Sequence, residues 1–187
     1  MRLTEVARED LHGRSQQIYD EIVASRGVVR GPFAALMHSP EVAGRAASLG
    51  AYLRFETSLD PKTLQIVTLA VAREWDCQYE WTAHEPQARE ALVPEDTITA
   101  IKKRQEPEGL PEDEALLVRY VHELLRGHRV APETFDRIQS RFSPLELTDL
   151  TITIGYYSML ACASRKPRLR DEPESCRPCN PLYRDNL

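Results

Sequence analysis

Three Ser-Pro or Asp-Pro pairs stand directly before the longest apolar segments, and they constrain this chain to a helical fold. The pairs are Ser39-Pro40, Asp60-Pro61 and Ser143-Pro144. A Ser or Asp side chain accepts hydrogen bonds from the free N–H groups of a first helical turn, and proline suits the first helical position because it has no N–H to satisfy. Glu146 adds the acidic residue of a capping box to the third pair. We therefore predict helices over about 40–57 and 61–74, and another that begins at 144.

Two of these helices are apolar on almost every side, which predicts that they lie in the interior. They cover PKTLQIVTLAVARE (61–74) and LELTDLTITIGYYSMLACA (145–163). The TITI run in the second is β-branched, but the cap and the length favour a helix. Four shorter segments also have helical patterns, and none alternates like a strand, so we predict an all-α fold of seven or eight helices with short loops. These segments cover residues 10–26, 94–104, 111–127 and 132–142.

The size and composition of the chain favour one soluble domain. It has 187 residues, of which 42% are hydrophobic and 28% charged, and a net charge of −5 that gives no reason to expect nucleic acid or an anionic membrane as partner. The N-terminal residues lack the apolar core of a signal peptide, and no apolar run reaches the roughly 18–20 residues that span a bilayer, so we expect a cytoplasmic protein. Proline and charge dominate from about residue 164, which predicts a helical domain over 1–163 and an irregular tail over 164–187.

A thiol, two carboxyl groups and an imidazole lie close together in the segment EWDCQYEWTAHEP (74–86). At 100° per residue, Cys77, Glu80 and His84 fall within an arc of about 60° on a helix, and Glu74 lies about 60° outside it. Burying several ionisable groups is costly unless they are paired or used. We therefore predict that Cys77, Glu80, His84 and Glu74 converge on one pocket as candidate catalytic residues.

A break between two helices is expected at this cluster. Asp76 is a candidate N-cap, which would place Cys77 in the first turn of a new helix, where the helix dipole stabilises a thiolate. Pro86 cannot donate a hydrogen bond and should kink or end that helix just past His84. Glu74 would then accept a proton from His84, directly or through water.

Other interpretations of the same residues remain open. Cys77 and His84 could simply pack in a core, or Glu80 and His84 could bind a metal together with Glu74 or Cys77. Cys162 lies in an apolar helical pattern and is expected to be an ordinary core residue.

The cluster resembles the motif E-x-x-C-x-x-C-x-x-x-H of the carboxymuconolactone decarboxylase family, which includes the alkylhydroperoxidase AhpD. Glu74, Cys77 and His84 stand at matching positions, whereas Glu80 occupies the position of the second Cys. The flanking segments GPFAALMHSPEVA (31–43) and GYYSML (155–160) are similar to the N-terminal part and the last helix of the family. The resemblance covers roughly residues 15–163.

The resemblance implies an AhpD-like helical domain that assembles into homo-oligomers, commonly trimers or hexamers, with the active pocket close to a subunit interface. It implies a small-molecule substrate and neither a metal nor an organic cofactor. AhpD members reduce peroxides with a Cys pair and a Glu–His proton relay. Carboxymuconolactone decarboxylases remove CO₂ from a lactone acid by acid–base chemistry.

The first functional hypothesis is thiol-based peroxide reduction, an antioxidant, peroxiredoxin-type activity. Cys77 would be the nucleophile, and Glu74 and His84 the proton relay. Because Glu80 replaces the second Cys of the motif, a resolving thiol would have to come from elsewhere, and Cys176 and Cys179 in the tail are candidates.

The second hypothesis is a cofactor-free decarboxylase or lactone-processing enzyme in which Glu80 and His84 transfer protons. Such a substrate needs a cationic pocket, for which Arg54 and Arg73 are candidates, although the helical spacing points Arg73 away from the cluster. The third hypothesis is a non-catalytic oligomeric binding protein whose polar cluster only satisfies its own hydrogen bonds.

Overall fold

The computed structural model describes residues 6–164, and within this part of the chain it contains nine α-helices and no strand. All of the helices except α2 are eight residues or longer, which confirms the all-α prediction. The helices are α1 (Arg14–Arg26), α2 (Pro32–Leu36), α3 (Pro40–Phe55), α4 (Pro61–Glu74), α5 (Gln78–Glu90), α6 (Glu95–Lys102), α7 (Glu112–His122), α8 (Pro132–Arg141) and α9 (Pro144–Ser164). Short 3₁₀ turns cover Arg8–Asp10 and Pro107–Gly109, and a π-helical turn, Glu123–Gly127, follows α7.

The three predicted helix starts are confirmed, and two of them have the expected cap. The Asp60 carboxylate accepts a hydrogen bond from the Thr63 N–H at 2.9 Å. At the start of α9, the Glu146 carboxylate accepts from the Ser143 N–H at 2.8 Å, and the Ser143 hydroxyl accepts from the Glu146 N–H at 3.3 Å. This reciprocal pair is the predicted capping box. Helix α3 also begins at the predicted proline, but without a side-chain cap.

Helix α4 is the centre of the fold. Every residue from 63 to 72 is buried, as its apolar sequence predicts. It packs against α5, α7 and α9, and more lightly against α6. The polar members of this run, among them Gln65 and Thr68, are buried as well. The most buried helix therefore carries polar side chains towards α5 and α9, where the candidate site lies.

The predicted break between α4 and α5 is present, but its details differ from the expectation. Asp76 is not the N-cap: its φ of 48° lies in the left-handed region, and Cys77 occupies the N-cap position. Pro86 does not end the helix, because α5 continues to Glu90. The Gln87 side-chain amide donates a hydrogen bond to the Ala83 carbonyl at 2.8 Å in the turn that the proline disturbs. This bond and the packing of α5 on α4 outweigh the loss of one backbone hydrogen bond.

The outer face of α9 is apolar and exposed, and one prediction fails there. Cys162, expected in the core, is exposed, because it follows Ile152, Gly155 and Met159 along the face of α9 that points away from α4. A helix that is apolar all round buries only the side that meets a neighbour within the same chain. The predicted tail, including Cys176 and Cys179, lies outside the described residues. Across residues 6–164, no helix combines the length and apolarity needed to cross a bilayer.

Candidate active site

Glu80 and His84 form a buried carboxyl–imidazole pair on the first two turns of α5. Their side chains stand four residues apart on one face of the helix, and Glu80 Oε2 lies 3.6 Å from His84 Nε2. Glu80 is 4% exposed and His84 6% exposed. The convergence of these two residues, predicted from their spacing, is what the helix geometry produces.

His84 is oriented by α4 and α9. Its Nδ1 lies 3.0 Å from the side-chain oxygen of Gln65, and its ring meets the Tyr157 ring edge-on with centroids 5.0 Å apart. With the Gln65 oxygen as the acceptor, Nδ1 carries the proton and Nε2 has its lone pair on the side of Glu80. Burial lowers the pKa of His84 to about 3, with smaller contributions from the charges of Arg54 and Arg26. The imidazole is therefore neutral at physiological pH.

The Glu80 carboxyl group titrates near neutral pH. Burial raises its pKa to about 7, against the opposing charges of Arg26 and Arg54. Its Oε1 is buried and has no hydrogen-bond partner among the described residues. A buried carboxylate without donors is strongly disfavoured, so the protonated form persists to an unusually high pH. Glu80 can consequently act as an acid or as a base at pH 7.

Cys77 lies beside this pair, in a position where burial disfavours its thiolate. It is buried at the N-cap of α5, with the backbone N–H groups of Tyr79 and Glu80 close to its sulfur. Burial raises the pKa of the thiol, and the charge of Glu80 raises it further, against the lowering effect of the two N–H groups. The predicted stabilisation of a thiolate by the helix terminus exists, but desolvation is the larger effect.

Glu74, expected to relay protons with His84, contacts other partners and forms no hydrogen bond or ion pair with His84 among the described residues. Both of its carboxylate oxygens accept hydrogen bonds of 2.8 Å from the Arg126 guanidinium, and His122 Nε2 lies 3.5 Å away. Arg126 lowers the pKa of Glu74. Gln65 stands beside His84 instead. The chain changes direction over two residues after Glu74, at the end of α4. The Glu74 side chain therefore points towards the π-helical turn after α7 rather than towards α5.

The Glu74–Arg126 pair leads to a testable prediction. Replacing Glu74 with Gln should lower the free energy of unfolding by about 1–3 kcal/mol, because the charged hydrogen bonds of a largely buried carboxylate to a half-exposed arginine are weakened. It should leave turnover at the Glu80–His84 pair nearly unchanged. Chemical denaturation and a turnover assay measure the two effects. The matched control is Glu106→Gln, since Glu106 contacts the same arginine at 3.4 Å from an exposed position. A large loss of turnover in the Glu74 variant but not in the control would instead support a proton relay between Glu74 and His84.

Four residues that surround the pair were missed or only partly foreseen. Gln65 and Tyr157 gave no local signal, since they approach His84 from α4 and α9 rather than from its own helix. Arg54 was predicted as a cation near the pocket, and its charge does act on Glu80 and His84; Arg26 acts in the same way and was not predicted. Arg73 is turned away, as its spacing indicated, and forms an ion pair with Asp76.

The metal hypothesis has no third ligand among the described residues. Within residues 6–164, no three His, Cys, Asp or Glu side chains are grouped as a metal site requires. A surface groove of about 610 Å³ runs between α8 and α9 and contains none of the four predicted site residues.

The fold and site define an all-helical protein with a buried Glu–His pair on the helix that follows its central helix. The model of the carboxymuconolactone decarboxylase family matches residues 40–117, from the start of α3 into α7. The match includes Glu74, Cys77, Glu80 and His84, and it confirms the family resemblance over this part of the chain. Among curated proteins, none matches this chain.

Proposed function

We propose that this protein is a cofactor-free acid–base enzyme of the carboxymuconolactone decarboxylase type, which acts on a small lactone or carboxylic acid. The observation that carries the proposal is the buried Glu80 carboxyl, whose pKa of about 7 matches the ideal for proton transfer at neutral pH. His84 supports it as a neutral imidazole with a free Nε2 lone pair directed at that carboxyl.

The two side chains have separate roles in a decarboxylation. The C–C bond to the substrate carboxylate breaks, its electron pair moves into the conjugated carbonyl system of the substrate, and CO₂ leaves. Protonated Glu80 then delivers its proton to the carbon that lost CO₂, and a proton from solvent restores Glu80. His84 accepts a hydrogen bond or a proton at Nε2, while Gln65 keeps its ring in place.

Peroxide reduction by Cys77 is less well supported than acid–base chemistry. The thiolate is the nucleophile in that reaction, and the pKa of Cys77 is raised rather than lowered. Glu80 stands where a second motif Cys would resolve the sulfenic acid. The same substitution that removes the Cys pair supplies the carboxyl group needed for proton transfer.

Two assays on the purified wild type and its Cys77→Ser variant test the proposal. One follows CO₂ release or ring opening with a panel of carboxylated lactones. The other follows hydrogen peroxide consumption with dithiothreitol as reductant. We expect the Ser variant to retain most of the turnover on a lactone acid, and Cys77 to react more slowly with iodoacetamide than a free thiol of pKa about 8.5.

Other outcomes would contradict the proposal in distinct ways. Peroxide consumption that disappears in the Cys77→Ser variant, with no turnover of any lactone acid, would establish the thiol peroxidase instead. Neither activity in the wild type, together with an intact fold by circular dichroism, would favour a non-catalytic binding protein.

A further inference from the structure

Two arginines flank the buried Glu80–His84 pair from helices that no part of the motif includes. Arg26 ends α1 and Arg54 lies in the last turn of α3. Both are half-buried, and the charge of each lowers the pKa of Glu80 and of His84. Ring contacts also connect Arg26 to the pair: its Nη2 lies 3.5 Å from the Tyr156 hydroxyl, the Tyr156 and Tyr157 rings meet edge-on at 5.3 Å, and Tyr157 meets His84 edge-on.

Neither arginine has a carboxylate partner among the described residues. Ten other arginines within residues 6–164 form ion pairs, whereas Arg26 and Arg54 form none within 4.0 Å. Arg26 Nε is buried without any hydrogen-bond acceptor. Its guanidinium carbon stacks 4.2 Å above the Phe33 ring, and its Nη2 lies 3.5 Å from the Tyr156 hydroxyl. A buried guanidinium N–H without an acceptor is costly, and an anion would satisfy it.

Glu80 does not fill this role. It forms no ion pair with either arginine within 4.0 Å, and its Oε1 is one of the buried oxygens without a partner. When the Glu80 carboxyl is protonated and His84 is neutral, neither member of the pair carries a negative charge that could compensate the two guanidinium groups. An incoming anion meets both of them next to a group that can donate a proton.

Gly50 leaves the space in which the Tyr156 hydroxyl and the Arg26 guanidinium meet. A Cβ atom at this position would lie 2.0 Å from the Tyr156 hydroxyl oxygen and 2.8 Å from Arg26 Nη2. Only glycine therefore lets α3 approach while the phenol and the guanidinium remain side by side. The Tyr156 hydroxyl is a further hydrogen-bond donor for an anion, in addition to the two arginines.

We propose that Arg26, Arg54 and Tyr156 bind the carboxylate group of a small organic acid and hold it beside Glu80. This inference rests on the proposed acid–base function and names the residues that would select an acidic substrate. A planar guanidinium fork matches a planar carboxylate through two parallel hydrogen bonds. Inorganic phosphate offers the same charge with a different shape, so the experiment includes it as a separate probe.

Isothermal titration calorimetry of the whole protein with succinate tests the proposal, with uncharged succinamide and inorganic phosphate as comparisons. We expect succinate to bind, succinamide not to bind, and phosphate to bind more weakly than succinate. Arg26→Gln and Arg54→Gln should each weaken succinate binding about tenfold or more, since a charged hydrogen bond is lost. Arg45→Gln is the control, because Arg45 lies on α3 but pairs with Glu41 on the exposed surface. Circular dichroism verifies that each variant is folded.

Several results would overturn the inference. One is that succinate and succinamide bind the wild type equally well. A second is that succinate binds no more strongly than phosphate. A third is that the folded Arg26→Gln and Arg54→Gln variants bind succinate with unchanged affinity. Binding is measured without turnover, so the two proposals fail separately. Arginine-dependent binding of succinate without turnover of any lactone acid would contradict the proposed function and keep the carboxylate site. Turnover of a lactone acid with a KM that neither arginine variant changes would keep the proposed function and contradict the carboxylate site.

Discussion

The Glu80→Gln variant is expected to lose about 10²–10⁴-fold in kcat on a lactone acid, the usual contribution of a positioned acid or base. Gln has nearly the same shape as Glu but cannot transfer a proton, so the loss should fall on kcat and leave KM almost unchanged. Steady-state kinetics of CO₂ release measure both constants. Glu90→Gln provides the control, because Glu90 lies on the same helix with an exposed side chain.

The pH dependence of the same reaction gives a second readout of Glu80. If protonated Glu80 supplies the proton, the wild-type rate should fall as pH rises through about 7, the pKa of this carboxyl group. The Glu80→Gln variant should lack that decline. A wild-type rate that instead rises through the same range would identify Glu80 as the base. Retention of full turnover by the variant would remove Glu80 from the mechanism.

The second large effect concerns stability, and its sign follows from the direction of the pKa shift. The pKa of Glu80 rises from its ordinary value of 4.5 to about 7 on folding. Between these values the unfolded chain releases the proton and the folded chain keeps it. The contribution of Glu80 to stability is therefore fully present below pH 4.5 and is lost as pH rises through about 7. A difference of this size corresponds to about 3 kcal/mol.

Glu80→Gln should remove this loss because the amide does not titrate. We expect the free energy of unfolding of the variant, relative to that of the wild type, to increase by about 3 kcal/mol between pH 4 and pH 9. Urea denaturation at a series of pH values measures the difference. A relative stability that does not change with pH would contradict the raised pKa.

His84 has the opposite pH dependence. Because its pKa falls from 6.5 to about 3 on folding, its contribution to stability is present above pH 6.5 and is lost as pH falls towards 3. It affects the wild type and the Glu80→Gln variant alike, so it cancels in their difference. The combined contribution of Glu80 and His84 to stability is therefore largest in mildly acidic solution.

Local sequence patterns predicted most of the fold because they act within one or two helical turns. Asp60 and the Ser143–Glu146 capping box start their helices where expected. The same reasoning failed at Asp76 and Pro86, where tertiary packing and the chain reversal between α4 and α5 outweigh local preference. Cys162 was misplaced because an apolar pattern does not reveal which side of a helix another helix covers.

In the candidate site, contacts within one helix were predictable from the sequence, and contacts between helices were not. The spacing of Glu80 and His84 was sufficient to predict their proximity, because both lie on one helix face. It was not sufficient to pair Glu74 with His84, because these residues lie on different helices whose relative directions are set by the turn between them. Gln65, which contacts His84 across α4 and α5, became visible only in the tertiary structure.

The sequence alone determined that this chain is helical, where its helices begin, and that a thiol, two carboxyl groups and an imidazole are close together in it. Only the tertiary structure decided which of them can exchange protons at neutral pH. Burial raises the pKa of Glu80 and of Cys77 and lowers that of His84, and Arg26 and Arg54 approach from α1 and α3. The physical reason is that helix caps and periodicity depend on neighbouring residues, whereas desolvation and charge depend on what the folded chain brings together.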